Sequence, residues 1–158
     1  MLAVRRAVAD DVDFLSAAQE FPHARGFVTR ASAELVRAAL DDPARFTFVI
    51  TEDGRAAGMM LVACDPLTSW LVELRRLVVT NPGRGVGAFA LSWLISWCFK
   101  ELGAHRIWLE VVASNTRARR LYESAEFRLE GTFRDGFRDE NGRYEDLCVY
   151  GLLAKEAR

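Results

Sequence analysis

The sequence predicts a single mixed α/β domain built around one sheet. Its 158 residues suit one domain and leave no room for a second of ordinary size, so residues 1–158 are assigned to one domain. Apolar residues make up 51% of the chain and charged residues 27%, which is typical of a globular protein. Strand-like and helix-like segments alternate along the chain in the order β-α-α-β-β-β-α-β-α-β-β. These three observations favour helices packed against a sheet.

The first seventy residues predict three strands and two helices. Apolar and polar residues alternate in the strands, whereas apolar residues recur at helical spacing after Asp11. Ser32 is placed to cap the second helix, and Asp53-Gly54 is typical of a hairpin turn. In chain order we expect a strand over 2–8, a helix after Asp11, a loop over 21–29, a helix over 32–40, and strands over 46–51 and 57–64.

The remaining residues predict four strands and two helices. The segment 88–102 is apolar on most faces, which indicates a buried helix, and Gly103 stands at its C-cap. Ser114 or Asn115 caps the second helix, and Asn141-Gly142 marks a turn. We expect a strand over 70–80, a glycine-rich turn over 81–87, helices over 88–102 and up to 124, and strands over 106–112, 127–134 and 144–153.

Composition also argues against several classes of function. The formal net charge is −1, so a dedicated nucleic-acid binder is not expected. Cys64, Cys98 and Cys148 are too few and too scattered for a disulfide framework, and with only two histidines a structural zinc site is not expected. The odd cysteine count and the lack of a signal-peptide pattern predict a cytoplasmic protein. No apolar stretch reaches the ~20 residues that span a bilayer, so no membrane association is expected.

The turn that precedes the buried helix is the first candidate binding feature. It reads Asn-Pro-Gly-Arg-Gly-Val-Gly-Ala over 81–88. Glycines let several backbone N–H groups point into one concavity, and the following helix adds the positive end of its dipole. This strand–turn–helix context predicts a pyrophosphate site. A tight turn that merely needs positive φ is the alternative.

The same turn matches the dinucleotide fingerprint at Gly83-x-Gly85-x-x-Ala88, which keeps a nicotinamide-dependent oxidoreductase open as an alternative. That interpretation needs an acid at the end of the next strand, ~20 residues further on. Glu101 has the distance but lies in the predicted helix, and Glu110 lies 27 residues after Gly83 (110 − 83), in the middle of its strand. The dinucleotide interpretation is therefore the weaker one.

Glu110 and Tyr122 are the candidate catalytic residues. Glu110 interrupts an otherwise apolar strand, where a carboxylate is costly unless it faces a polar cleft. Tyr122, on the following helix, is placed beside the same strand end. One acid and one phenol at a cleft suit removal of a proton from one partner and donation to another. The alternative is a rim carboxylate beside a core tyrosine.

Taken together, several short motifs resemble the GNAT superfamily of N-acetyltransferases, and the Rim-type ribosomal-protein N-alpha-acetyltransferases most closely. The resemblance covers residues 70–153 and implies a mixed, mostly antiparallel, splayed sheet flanked by helices. The motifs are Arg84-Gly85-x-Gly87-Ala88 before the long helix, then Leu109-Glu110-Val111, Ser114-Asn115, Leu121-Tyr122-Glu123 and Phe127-Arg128-Leu129-Glu130-Gly131.

The resemblance also implies a cosubstrate, acetyl-CoA, and residues that bind it. The backbone of Leu77, Val78 and Val79 would bind the pantetheine arm, and Asn115 would touch the same arm. Separately, the basic residues of the helix after Asn115 are placed to reach the 3′-phosphate, and a solvated helix face is the alternative; they are Arg117, Arg119 and Arg120. The pyrophosphate would lie on Arg84, Gly85, Val86, Gly87 and Ala88. Pro82 departs from the family pattern, which prefers Gln or Arg there, so one side-chain phosphate contact is in doubt.

The activity so implied is direct transfer of an acetyl group to a primary amine, either a protein N-terminus or a small molecule. Glu110 would accept the amine proton, Tyr122 would protonate the CoA thiolate, and Glu73 is the competing base. A non-catalytic acyl-CoA-binding module remains an alternative beside the oxidoreductase. A homodimer that pairs through the late hairpin is also expected.

Overall fold

A computed structural model describes residues 1–28 and 30–158, and it shows one open seven-stranded sheet with helices on both faces. The predicted fold class is confirmed. The strands are β1 (Leu2–Arg6), β2 (Arg45–Glu52), β3 (Arg55–Ala63), β4 (Leu71–Val79), β5 (Arg106–Val112), β6 (Arg128–Arg138) and β7 (Tyr144–Leu153). The helices are α1 (Val12–Ala18), α2 (Ala33–Asp41), α3 (Val86–Ser96) and α4 (Thr116–Ser124). Thr29, the last residue of the predicted 21–29 loop, lies outside the described residues.

Each face of the sheet carries its own apolar cluster, because successive side chains along a strand point to opposite faces. On β2, Phe48 and Ile50 pack with α3 and α4, whereas Val49 packs with α1 and α2. Helices therefore cover both faces of the sheet, α3 and α4 on one and α1 and α2 on the other.

The sheet splits in its middle, between β4 and β5. The strand order is β1-β2-β3-β4-β5-β7-β6, and only the β4–β5 pair is parallel. That pair is short, since it joins Leu71, Val72 and Glu73 to the first three residues of β5 and ends there. A β-bulge on β4 around Arg75 bends the strand at the same point, as bulges do. The two strands diverge beyond it, and the splayed sheet implied by the resemblance is present.

The two helices beside this split begin at local signals. Gly85 has a φ of 80° and precedes α3, which starts two residues earlier than predicted and ends in a wide π-helical turn over Trp97–Glu101. Gly103, with a φ of 65°, follows it. Asn115 caps α4, since its Oδ1 accepts the N–H of Ala118 at 3.3 Å, and this decides between the two predicted caps.

The late hairpin differs most from expectation. β6 extends to Arg138 instead of ending at 134, because two register irregularities let it bend and still pair with β7. One of them contains Asp135, which has a φ of 52°. Within the described residues, the helices are all too short or too polar to cross a membrane.

Candidate functional site

The split between β4 and β5 opens a cavity of about 360 Å³, which we call the central cleft. Its walls come from the loop after α1, the end of β4, the glycine-rich turn and the start of α4. It brings together residues that lie far apart in the sequence, namely His23, Ala24, Phe27, Val28, Leu77, Val78, Val79, Pro82, Gly87, Ser114, Asn115, Thr116, Arg117, Ala118, Leu121 and Tyr122.

One wall of the central cleft is the exposed backbone of β4. In the antiparallel β3–β4 ladder, Val78 pairs with Met59, and its carbonyl oxygen faces β3. The backbone N–H of Thr80 also donates to β3, to the carbonyl oxygen of Ala57 at 2.8 Å. Because main-chain groups alternate between the two sides of a strand, those of Leu77 and Val79 point away from β3, toward the split. The strand offers the cleft a row of donors and acceptors.

The glycine-rich turn closes one end of the cleft. Gly83 and Gly85 have φ angles of 89° and 80°, and at both positions a Cβ would meet no atom within 4 Å. The turn thus leaves open space in front of the N-terminus of α3, a place where free N–H groups and the helix dipole favour an anion. Val86 is buried, so only its backbone can serve a ligand. Arg84 is exposed and pairs with Glu52 at 3.2 Å.

Tyr122 projects from α4 into the wall of the central cleft. Its side chain is buried and packs edge-on against Phe127. Burial raises the pKa of Tyr122 to about 12, because the phenolate would lose its hydration there. The phenol is therefore protonated at neutral pH and can act as a proton donor.

The α4 helix that carries Tyr122 is tied to β7 by a polar network. The Tyr150 hydroxyl donates to Glu123 at 2.6 Å and accepts from Nε of Arg119 at 3.1 Å. Arg119 also donates to the carbonyl of Ala113 at 3.1 Å. Two donors of Arg119 are thus used inside the fold, and the predicted 3′-phosphate contact would fall to its remaining N–H groups.

Glu110 lines a different cavity, of about 570 Å³, which we call the side cavity. Phe27 and Val28 belong to the walls of both cavities, so the two meet at this pair. The structure therefore does not place Glu110 and Tyr122 in one pocket. It places them on two adjoining ones, a base candidate on one side and an acid candidate on the other.

The environment of Glu110 makes its carboxylate bind a proton more readily than an exposed glutamate does. Partial desolvation and the nearby negative charge of Glu73 raise the pKa of Glu110, and Arg75 opposes that effect. Glu73 lines the same cavity and accepts a hydrogen bond from Nε of Arg75 at 3.0 Å. Both carboxylates considered from the sequence are therefore in the side cavity.

A histidine from the loop after α1 also reaches the open edge of β4. Nε2 of His23 donates to the Val79 carbonyl oxygen at 2.6 Å and so reaches the open edge of β4. The ring also stacks on Phe21, with centroids 5.8 Å apart. His23 lies in a loop without periodicity, 56 residues before Val79, so no local signal could have found this contact.

The family model described as "Acetyltransferase (GNAT) family" matches residues 13–127, well over half of the chain. An uncharacterized N-acetyltransferase of Mycobacterium tuberculosis (strain ATCC 25618 / H37Rv) is 37% identical over 106 residues, which are 65% of this chain and 66% of the relative. The matched part thus spans just under two thirds of that relative's length.

Two solved structures share the fold at lower identity. A mutant form of the spermidine/spermine N-acetyltransferase SpeG of Vibrio cholerae has a TM-score of 0.84 at 21% identity, covering 98% of this chain and 94% of that one. The ribosomal-protein-S18-alanine N-acetyltransferase of Escherichia coli has a TM-score of 0.82 at 23% identity, with the same coverage.

Proposed function

The chain belongs to the GNAT family of acetyltransferases, and we propose that it moves an acetyl group from acetyl-CoA to a primary amine by direct transfer. One observation carries the proposal. The split between β4 and β5 leaves the main chain of Leu77 and the N–H of Val79 facing the cleft, beside an open glycine-rich turn and with a protonated phenol in the same cleft.

The central cleft fits an extended ligand that ends in phosphates. The main-chain groups of Leu77 and the N–H of Val79 would hold the amides of a pantetheine arm in the manner of an added strand. The N-terminus of α3, with Gly85 before it and Gly87 in its first turn, would hold the pyrophosphate, and Arg84 would add a cation. Acetyl-CoA supplies an activated acetyl thioester there.

The acid and the base divide the proton transfers between them. Glu110 accepts a proton from the ammonium form of the acceptor and passes it to solvent. The free amine then forms the new C–N bond as the C–S bond breaks, and its nitrogen loses a second proton to water. Tyr122 donates its proton to the departing thiolate and recovers one from solvent. A backbone N–H at the end of β4 stabilises the negative charge on the acetyl oxygen. Side-by-side binding of both substrates supplies the positioning.

Buried cysteines support a transfer without a covalent enzyme intermediate. Cys64, Cys98 and Cys148 are buried, and burial raises the pKa of the Cys98 thiol to about 12. A nucleophilic cysteine needs an accessible, low-pKa thiol beside a base. Reduced, buried thiols also fit a cytoplasmic location, which we include in the proposal.

Self-association is a further part of the proposal. β6 is an edge strand with a mostly exposed face, on which Leu129 and Phe133 are 50% and 55% exposed. Edges of this kind can pair with another chain. A homodimer through the late hairpin would cover it.

The test combines binding and turnover. Calorimetry with CoA, acetyl-CoA and NAD measures which of them the chain binds, and we expect tight binding of the first two only. Thiol release from acetyl-CoA is then followed with a panel of amines, and mass spectrometry identifies the N-acetyl product. Binding of CoA with no amine-dependent thiol release would instead support a non-catalytic acyl-CoA-binding module. Binding of NAD alone would support the oxidoreductase.

A further inference from the structure

One acceptor on the open edge of β4 has a partner within the chain. Nε2 of His23 donates to the carbonyl oxygen of Val79 at 2.6 Å, and both residues line the central cleft. Val79 is the last residue of β4, directly before the segment that leads into the glycine-rich turn. The hydrogen bond therefore ties the loop after α1 to the end of the strand that borders the split.

The loop that carries His23 has its own anchors. The N–H groups of Ala24 and Arg25 both donate to the carbonyl oxygen of Phe21, at 2.8 and 2.9 Å, which forms a tight turn around His23. Ala24 is buried, whereas His23 is half-buried and stacks on Phe21 with ring centroids 5.8 Å apart. Because the turn is fixed at Ala24, the imidazole can rotate away from Val79 while the turn stays folded.

The oxygen that His23 holds belongs to the row of main-chain groups that would hold the pantetheine arm. The N–H and the C=O of Val79 point to the same side of β4, so a partner that takes the N–H in the manner of an added strand also brings a donor to the C=O. An amide nitrogen of that partner would lie ~2.9 Å from the oxygen. Since β3 pairs with the other side of the strand, ring and arm both approach from the cleft. The two donors therefore need the same space.

Resting on the proposed function, we infer that His23 competes with the pantetheine arm of acetyl-CoA for the carbonyl oxygen of Val79. The imidazole leaves this oxygen when the arm binds, and the hydrogen bond therefore lowers the affinity of the chain for CoA and acetyl-CoA. The same loop carries Phe27 and Val28, which belong to the walls of both cavities. Release of His23 thus loosens the wall that the cosubstrate site shares with the proposed acceptor site.

The first test measures the dissociation constant for CoA by calorimetry. His23→Ala removes the competing donor, so this constant should fall by about two- to tenfold, the equivalent of one hydrogen bond between neutral groups. His23→Gln keeps an N–H donor of similar reach and should retain a value close to that of the parent chain. His105→Ala is the matched control, because His105 is exposed and outside the cleft lining.

The same variants separate competition from a purely structural role. His23→Ala should unfold at a lower denaturant concentration than the parent chain, because the bond between the loop and β4 is lost. It should nevertheless bind CoA more tightly. A contact that only supports the shape of the cleft would instead lose stability and affinity together.

The second test follows the imidazole itself and needs no change at His23. The chain has two histidines, so isotope labelling of histidine nitrogens gives NMR signals from His23 and His105 alone, and His105→Ala identifies the second. The proton on Nε2 of His23 should exchange slowly with water in the parent chain. At saturating CoA it should exchange rapidly, because its bond to Val79 is then broken.

Two results would overturn the inference. One is a dissociation constant for CoA that His23→Ala leaves unchanged or raises, and the other is a His23 proton that still exchanges slowly at saturating CoA. In both cases the parent chain still binds CoA and releases thiol with amines, so the proposed function stands. If the parent chain does not bind CoA at all, the proposed function fails, and the inference fails with it.

Discussion

The central cleft and the side cavity adjoin at Phe27 and Val28 but are lined by different kinds of chemical group. Backbone groups and small or apolar residues from β4, the glycine-rich turn and α4 form the cleft. The side cavity combines charged side chains from several separate elements with a larger number of apolar ones. Backbone groups suit the binding of a cosubstrate that is the same in every member of a family. Side chains that line a cavity can differ between members without disturbing the fold. We therefore expect the central cleft to bind the cosubstrate and the side cavity to determine which amine is accepted.

The largest effect is expected from a side chain at Gly87 that obstructs the central cleft. A Cβ at Gly87 would lie 3.4 Å from Leu121 and 3.9 Å from Val79, so a side chain there emerges between α4 and β4. Gly87→Glu also places a negative charge at the N-terminus of α3, where phosphates are expected. We expect calorimetry to show no binding at CoA concentrations that saturate the parent chain.

Gly131→Glu is the control for that experiment. Gly131 lies on β6, and a Cβ there would meet nothing within 4 Å. Circular dichroism should show that both variants fold. Undiminished CoA affinity in Gly87→Glu would remove the phosphate site from this turn.

The next largest effect is expected at Tyr122. Tyr122→Phe removes the proton donor and keeps the ring, so kcat should fall by ~10²–10⁴-fold while acetyl-CoA binding persists. Since the pKa of Tyr122 is about 12, the parent rate should show no loss from its ionisation anywhere between pH 6 and about 10. Pre-steady-state and steady-state thiol release measure the change. Tyr144→Phe, at an exposed tyrosine, is the control, and an equal fall in both variants would contradict the assignment.

A smaller, pH-dependent effect distinguishes the two carboxylates of the side cavity. Glu110→Gln should lose most rate at low pH, where the amine is protonated, and the deficit should shrink as the pH rises. Glu73 raises the pKa of Glu110, so its removal should lower that pKa. Glu73→Gln should therefore shift the acidic limb of kcat to lower pH without abolishing it.

The measurement is a pH–rate profile for both variants at saturating acetyl-CoA. If Glu73→Gln abolishes the acidic limb and Glu110→Gln retains it, the base is Glu73. The neutral amide keeps the shape of the side chain in both variants, so a difference between them reports charge.

The contrast between the two cavities also explains what the sequence could predict. Strand and helix bounds are local, and most were predicted within three residues; the β5 and β7 bounds are as expected. Apart from the loop after α1, the elements of the cleft follow one another between 70 and 124, so a motif could point to them. The side cavity depends on how the loop after α1 and the β6–β7 hairpin fold back over the sheet, and no periodicity encodes that. The hydrogen bond between Arg76 and Gln19 in its wall, for example, joins residues that are 57 positions apart.

The smallest effect is expected from the cysteines, which take no part in either cavity. Cys64, Cys98 and Cys148 lie in the apolar core, and none is among the residues lining the cleft or the side cavity. With burial raising the pKa of Cys98 to about 12, almost none of its thiol is ionised at neutral pH. The triple change to Ala should leave kcat per folded molecule within about twofold, while small cavities lower the free energy of unfolding by ~1 kcal/mol or more per site. Chemical denaturation measures that loss, and thiol release measures the rate.

Mass spectrometry of the parent chain after incubation with acetyl-CoA alone completes the test. An acetyl-cysteine that passes its acetyl group to an added amine would show a covalent route through the core, and direct transfer between the two cavities would then be wrong.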